Sequence, residues 1–282
     1  MRVAAAQMKF ASSIEGNLAK IAVALEQARR HRADAVLFPE RAVTGYTYDL
    51  RKLRPADVRD ALKVLRGLAR HTGMNLLVGT PVYSGRKLYN ALVVIDRSGR
   101  IVHCYAKCQL TDLDRRVFTP GDAVSLFELD GVPCTAILCH ERRYPELPRL
   151  GAMAGARILF HPNAGLDPLS VSKTKRGGCD GMDARAFENA IYYVFANSVG
   201  PQGGGKWSAG DSKIVAPDRS RLALADNDHE AVIAAELDLT QATGKYAKES
   251  LQHPKFLAPH WKRMLRDLRR RVRDSVSRFD LD

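Results

Sequence analysis

The stretch 135–147, Thr-Ala-Ile-Leu-Cys-His-Glu-Arg-Arg-Tyr-Pro-Glu-Leu, constrains the fold more than any other part of the chain. Residues 135–138 form an apolar run too short for a helix, as expected of a buried strand. Such a strand belongs inside a layered structure, with cover on both faces. The run ends at Cys139, and Pro145, suited to the first turn of a helix, precedes the amphipathic stretch 146–154. A thiol is thereby placed on a tight strand-to-helix corner, where a side chain is exposed and held rigid. Arg142 and Arg143 follow within one turn of chain, a pair suited to gripping an anion.

Two further strand ends carry ionisable groups. Ala35-Val-Leu-Phe-Pro39 leads into Glu40, and Ile101-Val-His-Cys-Tyr-Ala leads into Lys107. A cysteine nucleophile needs a base to take its proton and a donor to hold the oxyanion formed on attack. Each residue alone is an ordinary charged strand end. Together they make a candidate site, provided that the three strand ends converge on one edge.

The ordered trio resembles the nitrilase superfamily, the carbon–nitrogen hydrolases, in which Glu, Lys and Cys follow one another at strand ends. The resemblance rests on Leu37-Phe38-Pro39-Glu40 with Thr44-Gly45-Tyr46, on Tyr105-Ala-Lys107-Cys-Gln-Leu110, and on Cys139 followed by Tyr144-Pro145-Glu146. Phe118-Thr-Pro-Gly-Asp122 and Ala184-Arg-Ala-Phe-Glu-Asn189, leading into Val194-Phe-Ala-Asn197, fit as well. It extends over residues 1–237. The resemblance implies a four-layer α-β-β-α sandwich of two mixed sheets, doubled across a dimer through the helix starting at Glu146 and the one ending near Asn189. It implies acyl transfer through Cys139, with Glu40 as base and then acid, and with Lys107 and the His140 backbone N–H on the oxyanion. Where relatives carry a second glutamate, this chain has Asp114, one methylene shorter. Either it keeps the role beside Lys107, or it is a surface residue paired with Arg115. Relatives acting on N-carbamoyl amino acids carry two arginines at the offsets of Arg142 and Arg143, which implies a carboxylate-bearing amide or ureido substrate. The structural alternative pairs these arginines with Glu141 or Glu146. Cys-His-Glu differs from the Cys-Trp-Glu of nitrilases, which argues against a nitrile. Tyr46, Asn163 and Trp207 are further candidates for the pocket wall.

The order of elements supports a two-sheet architecture. Helical stripes at 16–31 and 56–71 separate strands at 3–7, 36–38 and 75–78; hairpin strands follow at 88–96 and 100–105, and strands at 157–160 and 192–198 flank a helix near 183–189. Short strands near Ser212, Leu222 and Val232 close the domain. With 282 residues and 45% hydrophobic content, one domain over 1–261 is expected, followed by a basic helical tail over 262–282. No apolar run approaches the roughly 18 residues of a membrane span, and the start of the chain shows no leader pattern. The five cysteines, Cys104, Cys108, Cys134, Cys139 and Cys179, show neither CxxC pairs nor zinc spacing. A reduced, cytoplasmic protein without metal or cofactor is the expectation, with Cys104, Cys108 and Cys134 structural.

Residues 162–181 read as a loop suited to setting specificity. Gly203-Gly-Gly205-Lys206 lacks phosphate-loop spacing and reads as a mobile loop. The tail helix, with Met264, Leu265, Leu268 and Val272 on its apolar side, together with a net charge of +13, permits binding to nucleic acid or an anionic surface, but no nucleic-acid motif accompanies it. Packing across an oligomer suffices to explain it. An acyltransferase on the same site and a non-catalytic binding protein on the same fold remain open alternatives.

Overall fold

Strands in which successive side chains are all apolar need cover on both faces, and the chain provides it in layers. The computed structural model describes residues 1–178, 180–272 and 275–282. The first half supplies β1 (Arg2–Gln7), α1 (Ile14–Arg30), β2 (Ala35–Leu37), α2 (Pro55–Thr72), β3 (Asn75–Ser84), β4 (Lys87–Ile95) and β5 (Ile101–Ala106). Next come β6 (Phe127–Leu129), β7 (Val132–Ala136), α3 (Glu146–Met153), β8 (Ile158–Pro162), β9 (Asp167–Pro168), α4 (Leu169–Thr174), α5 (Ala184–Asn189) and β10 (Tyr192–Ala196). The remainder is β11 (Val199–Gly203), β12 (Lys206–Ala209), β13 (Lys213–Val215), β14 (Arg221–Leu224), β15 (Ala231–Glu236), α6 (Lys245–Glu249) and α7 (Ala258–Val272).

Among these residues, one sheet runs β15-β1-β2-β3-β4-β5 and a second runs β14-β13-β10-β8-β7-β6. The period of two along each strand sorts its side chains between layers. Val3, Ala5, Leu37, Leu77 and Leu92 meet Ala136, Ile158, Phe160 and Val194 between the sheets. The alternate residues Ala4, Val36, Leu76 and Val93 turn outward onto Ile21 and Leu25 of α1 and Leu62 and Leu65 of α2. On the second sheet Leu159, Tyr193 and Phe195 turn outward onto Leu150 of α3, Ala186 of α5, Ala247 of α6 and Leu265 of α7. This is the expected α-β-β-α sandwich. α1 starts where the Ser13 side chain accepts from Gly16 N, and α2 starts with Pro55 in its first turn and ends at Gly73 in the left-handed region.

Strand direction brings the candidate corners together. β1, β2 and β3 are parallel, while β4 is antiparallel to β3 and β5 to β4, so β5 again points the same way as β2. β7, β8 and β10 are parallel in the second sheet. Glu40, Lys107 and Cys139 therefore all lie beyond carboxyl ends of strands, where open α/β sheets build their sites. Two glycines permit the close packing. A Cβ at Gly79 would lie 2.3 Å from Pro39 O and 2.7 Å from Glu40 Cα, and one at Gly121 would lie 2.1 Å from Ala106 O.

Some expectations need correction. β3 continues to Ser84 and makes a hairpin with β4, so the strand expected over 75–78 was cut short at Gly79-Thr-Pro81, a stretch that looks like a breaker. The strand expected over 135–138 lies earlier, at Val132–Ala136, paired to β6, which the sequence reading passed over. The 162–181 stretch is not simply loop: it carries β9 and α4, and β9 joins β12 and β11 in a small third sheet. Gly203 to Gly205 all take positive φ in the tight turn between β11 and β12. Cys104 and Cys134 are buried packing residues in separate cores. Cys179 lies outside the described residues, as does the side chain of Val272. In α7, Leu265 is buried and Leu268 packs beside it, whereas Met264 is exposed rather than part of the packed face. The chain end then crosses to the first sheet: Phe279 meets Tyr89 edge-on, and Asp280 N donates to Tyr83 O. Among the described residues no helix is long and apolar enough to cross a membrane.

Candidate active site

Glu40 leaves β2 through Pro39 and is fully buried. Its Oε1 accepts from Lys107 Nζ at 2.7 Å and from Asn90 Nδ2 at 2.8 Å, and its Oε2 accepts from Tyr46 Oη at 2.6 Å. The Tyr46 phenol is pushed well above its ordinary pKa by burial and by the Glu40 charge, so it remains a donor. A carboxylate fixed by three donors has one orientation and a reserved proton-accepting face.

Lys107 is held by its own backbone, with N donating to Asn90 O and O accepting from Gly121 N, both at 2.8 Å. Its Nζ also donates to Asp114 Oδ2 at 2.8 Å. Burial pulls the lysine pKa down, but Glu40, Cys139 and Asp114 outweigh it and raise the value, so the amine stays charged. Asp114 is likewise pushed up by burial and pulled further down by Lys107, ending below the usual carboxylate range. The short 3-10 turn Asp114–Arg116 brings this shorter acid within reach, so of the two sequence alternatives the structure places Asp114 on Lys107 and not on the surface with Arg115.

Cys139 follows β7 after Ile137 and Leu138 and opens a 3-10 turn, Cys139–Arg143, with φ +44. A non-glycine residue in the left-handed region is strained, and such strain clusters where a side chain must be presented. The thiol points toward Ala164 O at 3.7 Å. Burial first, then the Glu40 charge, push it up to about 12, with Lys107 pulling the other way. The His140 N–H lies in the first turn of this helix, where an N–H has no intrahelical acceptor. Burial, with Lys107 next, holds the His140 ring below its ordinary pKa.

Sequence reading treated Glu141 only as a surface partner for the arginines, and the structure overturns that. Glu141 is fully buried, and its carboxylate accepts from Leu138 N and Cys108 N at 2.7 Å each, from Gln109 N at 3.1 Å and from Tyr105 Oη at 2.9 Å. It therefore ties the residue before Cys139 to the residues after Lys107. Burial raises its pKa against those four donors. No sequence signal marked it, because Leu138 at the N-cap lacks the hydroxyl or carboxylate that makes a capping box legible; only the Glu141 half of that motif forms. Asn90 was also missed, because nothing in a strand sequence distinguishes an inward amide at a site.

A cavity of about 790 Å³ opens over these groups, and its wall includes Glu40, Tyr46, Lys107, Asp114, Cys139 and Asn163. Asn163 donates to Asn197 Oδ1 at 2.8 Å, and its backbone O accepts from Glu40 N. Arg142, half-buried, and Arg143, exposed, also line it and are in no ion pair among the described residues. The pairing of these arginines with Glu141 or Glu146 is thus absent. Trp207, in β12, is not on the described wall, and Cys108 instead donates its thiol to Ala123 O at 3.2 Å. No cluster of three metal-ligating side chains occurs among the described residues.

The arrangement offers a thiol, a fixed carboxylate and a charged amine around one cavity. Comparison with known proteins agrees with it. Residues 2–245 match the family described as Carbon-nitrogen hydrolase. The chain is 34% identical to the "Hydrolase in pqqF 5'region" of Pseudomonas protegens over 80% of this chain and 78% of that one. It is 29% identical to the 2-oxoglutaramate amidase of Bacillus subtilis, over 80% and 86%. Among solved structures, the amidase of Nesterenkonia sp. AN1 superposes with a TM-score of 0.79 at 26% identity, covering 93% of this chain and 99% of that one. That amidase has also been solved with compounds joined to its active-site cysteine and in complex with acrylamide or butyramide.

Proposed function

The chain belongs to the carbon–nitrogen hydrolases of the nitrilase superfamily, enzymes acting on carbon–nitrogen bonds other than peptide bonds, and from that premise we propose that it cleaves a small carboxylate-bearing amide or ureido compound through a Cys139 thioester. The observation that carries this reading is the buried Glu40–Lys107–Asp114 cluster beside the Cys139 thiol. Burial and the Glu40 charge hold the thiol in its protonated form at neutral pH, so attack needs a base in contact. Glu40 takes the thiol proton as sulfur attacks the carbonyl carbon. Lys107 Nζ and the His140 N–H hold the oxyanion, a role worth about 3–4 kcal/mol per donor. Glu40 then protonates the departing nitrogen, ammonia or an amine leaves, and the same carboxylate takes a proton from water as it attacks the thioester. The acid is released as product, and the proton held by Glu40 returns to sulfur to restore the free thiol.

The carboxylate preference rests on the positive side of the cavity, where Arg142 and Arg143 are in no ion pair among the described residues, and accords with a relative named for 2-oxoglutaramate. A neutral amide is the second reading, favoured by the neighbour that binds acrylamide and butyramide. The protein works as a homodimer or higher even oligomer through α3 and α5, in the reducing cytoplasm, with the basic tail serving assembly rather than nucleic acid.

The test is ammonia release from N-carbamoyl amino acids, dicarboxylic monoamides, simple amides and nitriles, with wild type beside Cys139→Ser. Release from carboxylate-bearing compounds by wild type alone is expected. Release only from neutral amides would keep the mechanism and discard the anionic substrate.

A further inference from the structure

Arg41 has no part in the reaction just described, yet it is the residue immediately after Glu40 and is 7% exposed. It takes φ +55, and its guanidinium carbon lies 4.2 Å from the centroid of the Tyr46 ring and 5.8 Å from that of Phe118. Arg41, Tyr46 and Phe118 all line the cavity that contains Cys139. A guanidinium carries five N–H donors. The only side-chain acceptor recorded for Arg41 among the described residues is Thr44 Oγ1, 3.5 Å from Nε and at the limit of a hydrogen bond.

The nearby carboxylates are committed elsewhere. Both Glu40 oxygens are held by Lys107, Asn90 and Tyr46, and Asp114 Oδ2 is held by Lys107 and by Thr111 N. The charge of Arg41 is balanced at longer range, because Lys107 between two carboxylates leaves the cluster net negative. Its donors are not balanced. Ring faces attract the cation but accept no N–H in the guanidinium plane. No Arg41 nitrogen is among the fully buried polar atoms without a partner, so its uncommitted donors open onto the cavity. The acceptor that matches a planar fork in a cavity is a second planar fork, a carboxylate bound through two parallel hydrogen bonds.

We propose that Arg41 is the buried receptor for a carboxylate on the substrate, so that the preferred substrate is the monoamide or ureido derivative of an acid that keeps one free carboxylate. The assignment rests on the hydrolase reading and sharpens it. Arg41, shielded from solvent, makes the forked contact, whereas the more exposed Arg142 and Arg143 attract the anion from solution. Rigid attachment of Arg41 to Glu40 makes the carboxylate contact also fix the distance from the anion to the scissile bond.

The test compares succinamate with succinamide, which differ only in replacement of carboxylate by amide, and reads the ratio of their kcat/KM values. In Arg41→Met this ratio is expected to fall at least 30-fold, in Arg41→Lys by less because an ammonium lacks the fork, and in Arg143→Met by under fivefold. An unchanged ratio in Arg41→Met would overturn the proposal; with both substrates slowed equally, it would assign Arg41 to holding Tyr46 against Glu40 instead. Thermal melting of each variant separates misfolding from lost recognition. If wild type cleaves neither compound, the hydrolase reading is judged separately on the wider panel above. Calorimetric titration of Cys139→Ala with succinamate then decides: binding that weakens at least 30-fold on adding Arg41→Met supports the receptor, and absent or unaffected binding overturns it.

Discussion

Among the described residues two lysines are buried between pairs of carboxylates, and the Cys139 thiol lies beside one of these clusters. Lys107 sits between Glu40 and Asp114, and Lys213, on β13, sits between Asp180 and Asp183. Their side chains are 1% and 0% exposed. Beside Lys213, Arg221 pairs with Asp183 at 2.7 Å, and the Phe195 ring lies 5.7 Å from Nζ. The effect of this cluster is to fasten β13 and β14 to the segment that leads into α5. At Lys107 the cluster is joined by a thiol, with Tyr46 and Asn90 fixing the carboxylate; both clusters border the cavity, that of Lys213 through Asp180 and Phe195. A buried ion cluster is therefore a structural device by default, and it becomes a catalytic candidate through what faces it.

The contrast is sharpest in variants. Cys139→Ala and Glu40→Gln are each expected to abolish turnover, with losses beyond the 10²–10⁴-fold of acid–base catalysis for the thiol and within or beyond it for the carboxylate. Residual activity above about 1% in Glu40→Gln would leave most of that contribution intact and remove Glu40 from the role. Lys213→Met is expected to keep kcat/KM within about threefold while losing about 3–5 kcal/mol in guanidinium unfolding, the effect of leaving buried carboxylates without their cation. Loss of turnover at unchanged stability in Lys213→Met would erase the distinction between the two lysines.

A smaller effect probes the second carboxylate. Asp114→Asn removes one charged hydrogen bond from Lys107, about 1.5–3 kcal/mol, and should lower kcat/KM by about 10- to 100-fold. An unchanged rate would leave Asp114 with a structural role only.

The smallest effect is on acid stability, and it treats the two regions alike. His161, behind Cys139, bonds to Tyr193 Oη at 2.7 Å and to Cys139 O at 3.1 Å, and His103 sits between Ser125 and Ser275 at 3.0 Å each. Burial lowers both to about 3 from an ordinary 6.5. The unfolded chain binds these protons below pH 6.5 and the native state does not until about pH 3. Their contribution to stability is complete above pH 6.5 and is lost as pH falls toward 3, at about 1.4 kcal/mol per pH unit for each histidine. The slope of unfolding free energy between pH 6.5 and 4.5 should therefore be shallower by about that amount in His103→Asn. An identical slope would show that His103 takes up a proton in the native state.

Much of this architecture was legible because it is written locally. Run length and the period of two gave away β1, β4, β5, β8 and β10, and the stripes of α1 and α2 followed from the period of 3.6. Strands ending in Glu40, Lys107 and Cys139 were visible for the same reason, since a strand end is a local event. β6 and the small sheet of β9, β11 and β12 were not visible, because two to five residues form a strand only when a partner edge is present.

What the sequence determined by itself was the order of strands and helices and the identity of the groups at three strand ends, which depend on composition within a few residues; the family and the four-layer fold followed from the resemblance that these motifs carry. The tertiary structure decided what each charged side chain is for. Glu141 and Arg143 are two residues apart, yet one is buried under four donors and the other is exposed at the cavity wall. Arg41 and Lys213 read as ordinary cations until the first is found against two rings in the cavity and the second between two aspartates. The reason is physical: the worth of a charge depends on its burial and on the partners within a few ångströms, and both are contributed by residues distant in the chain.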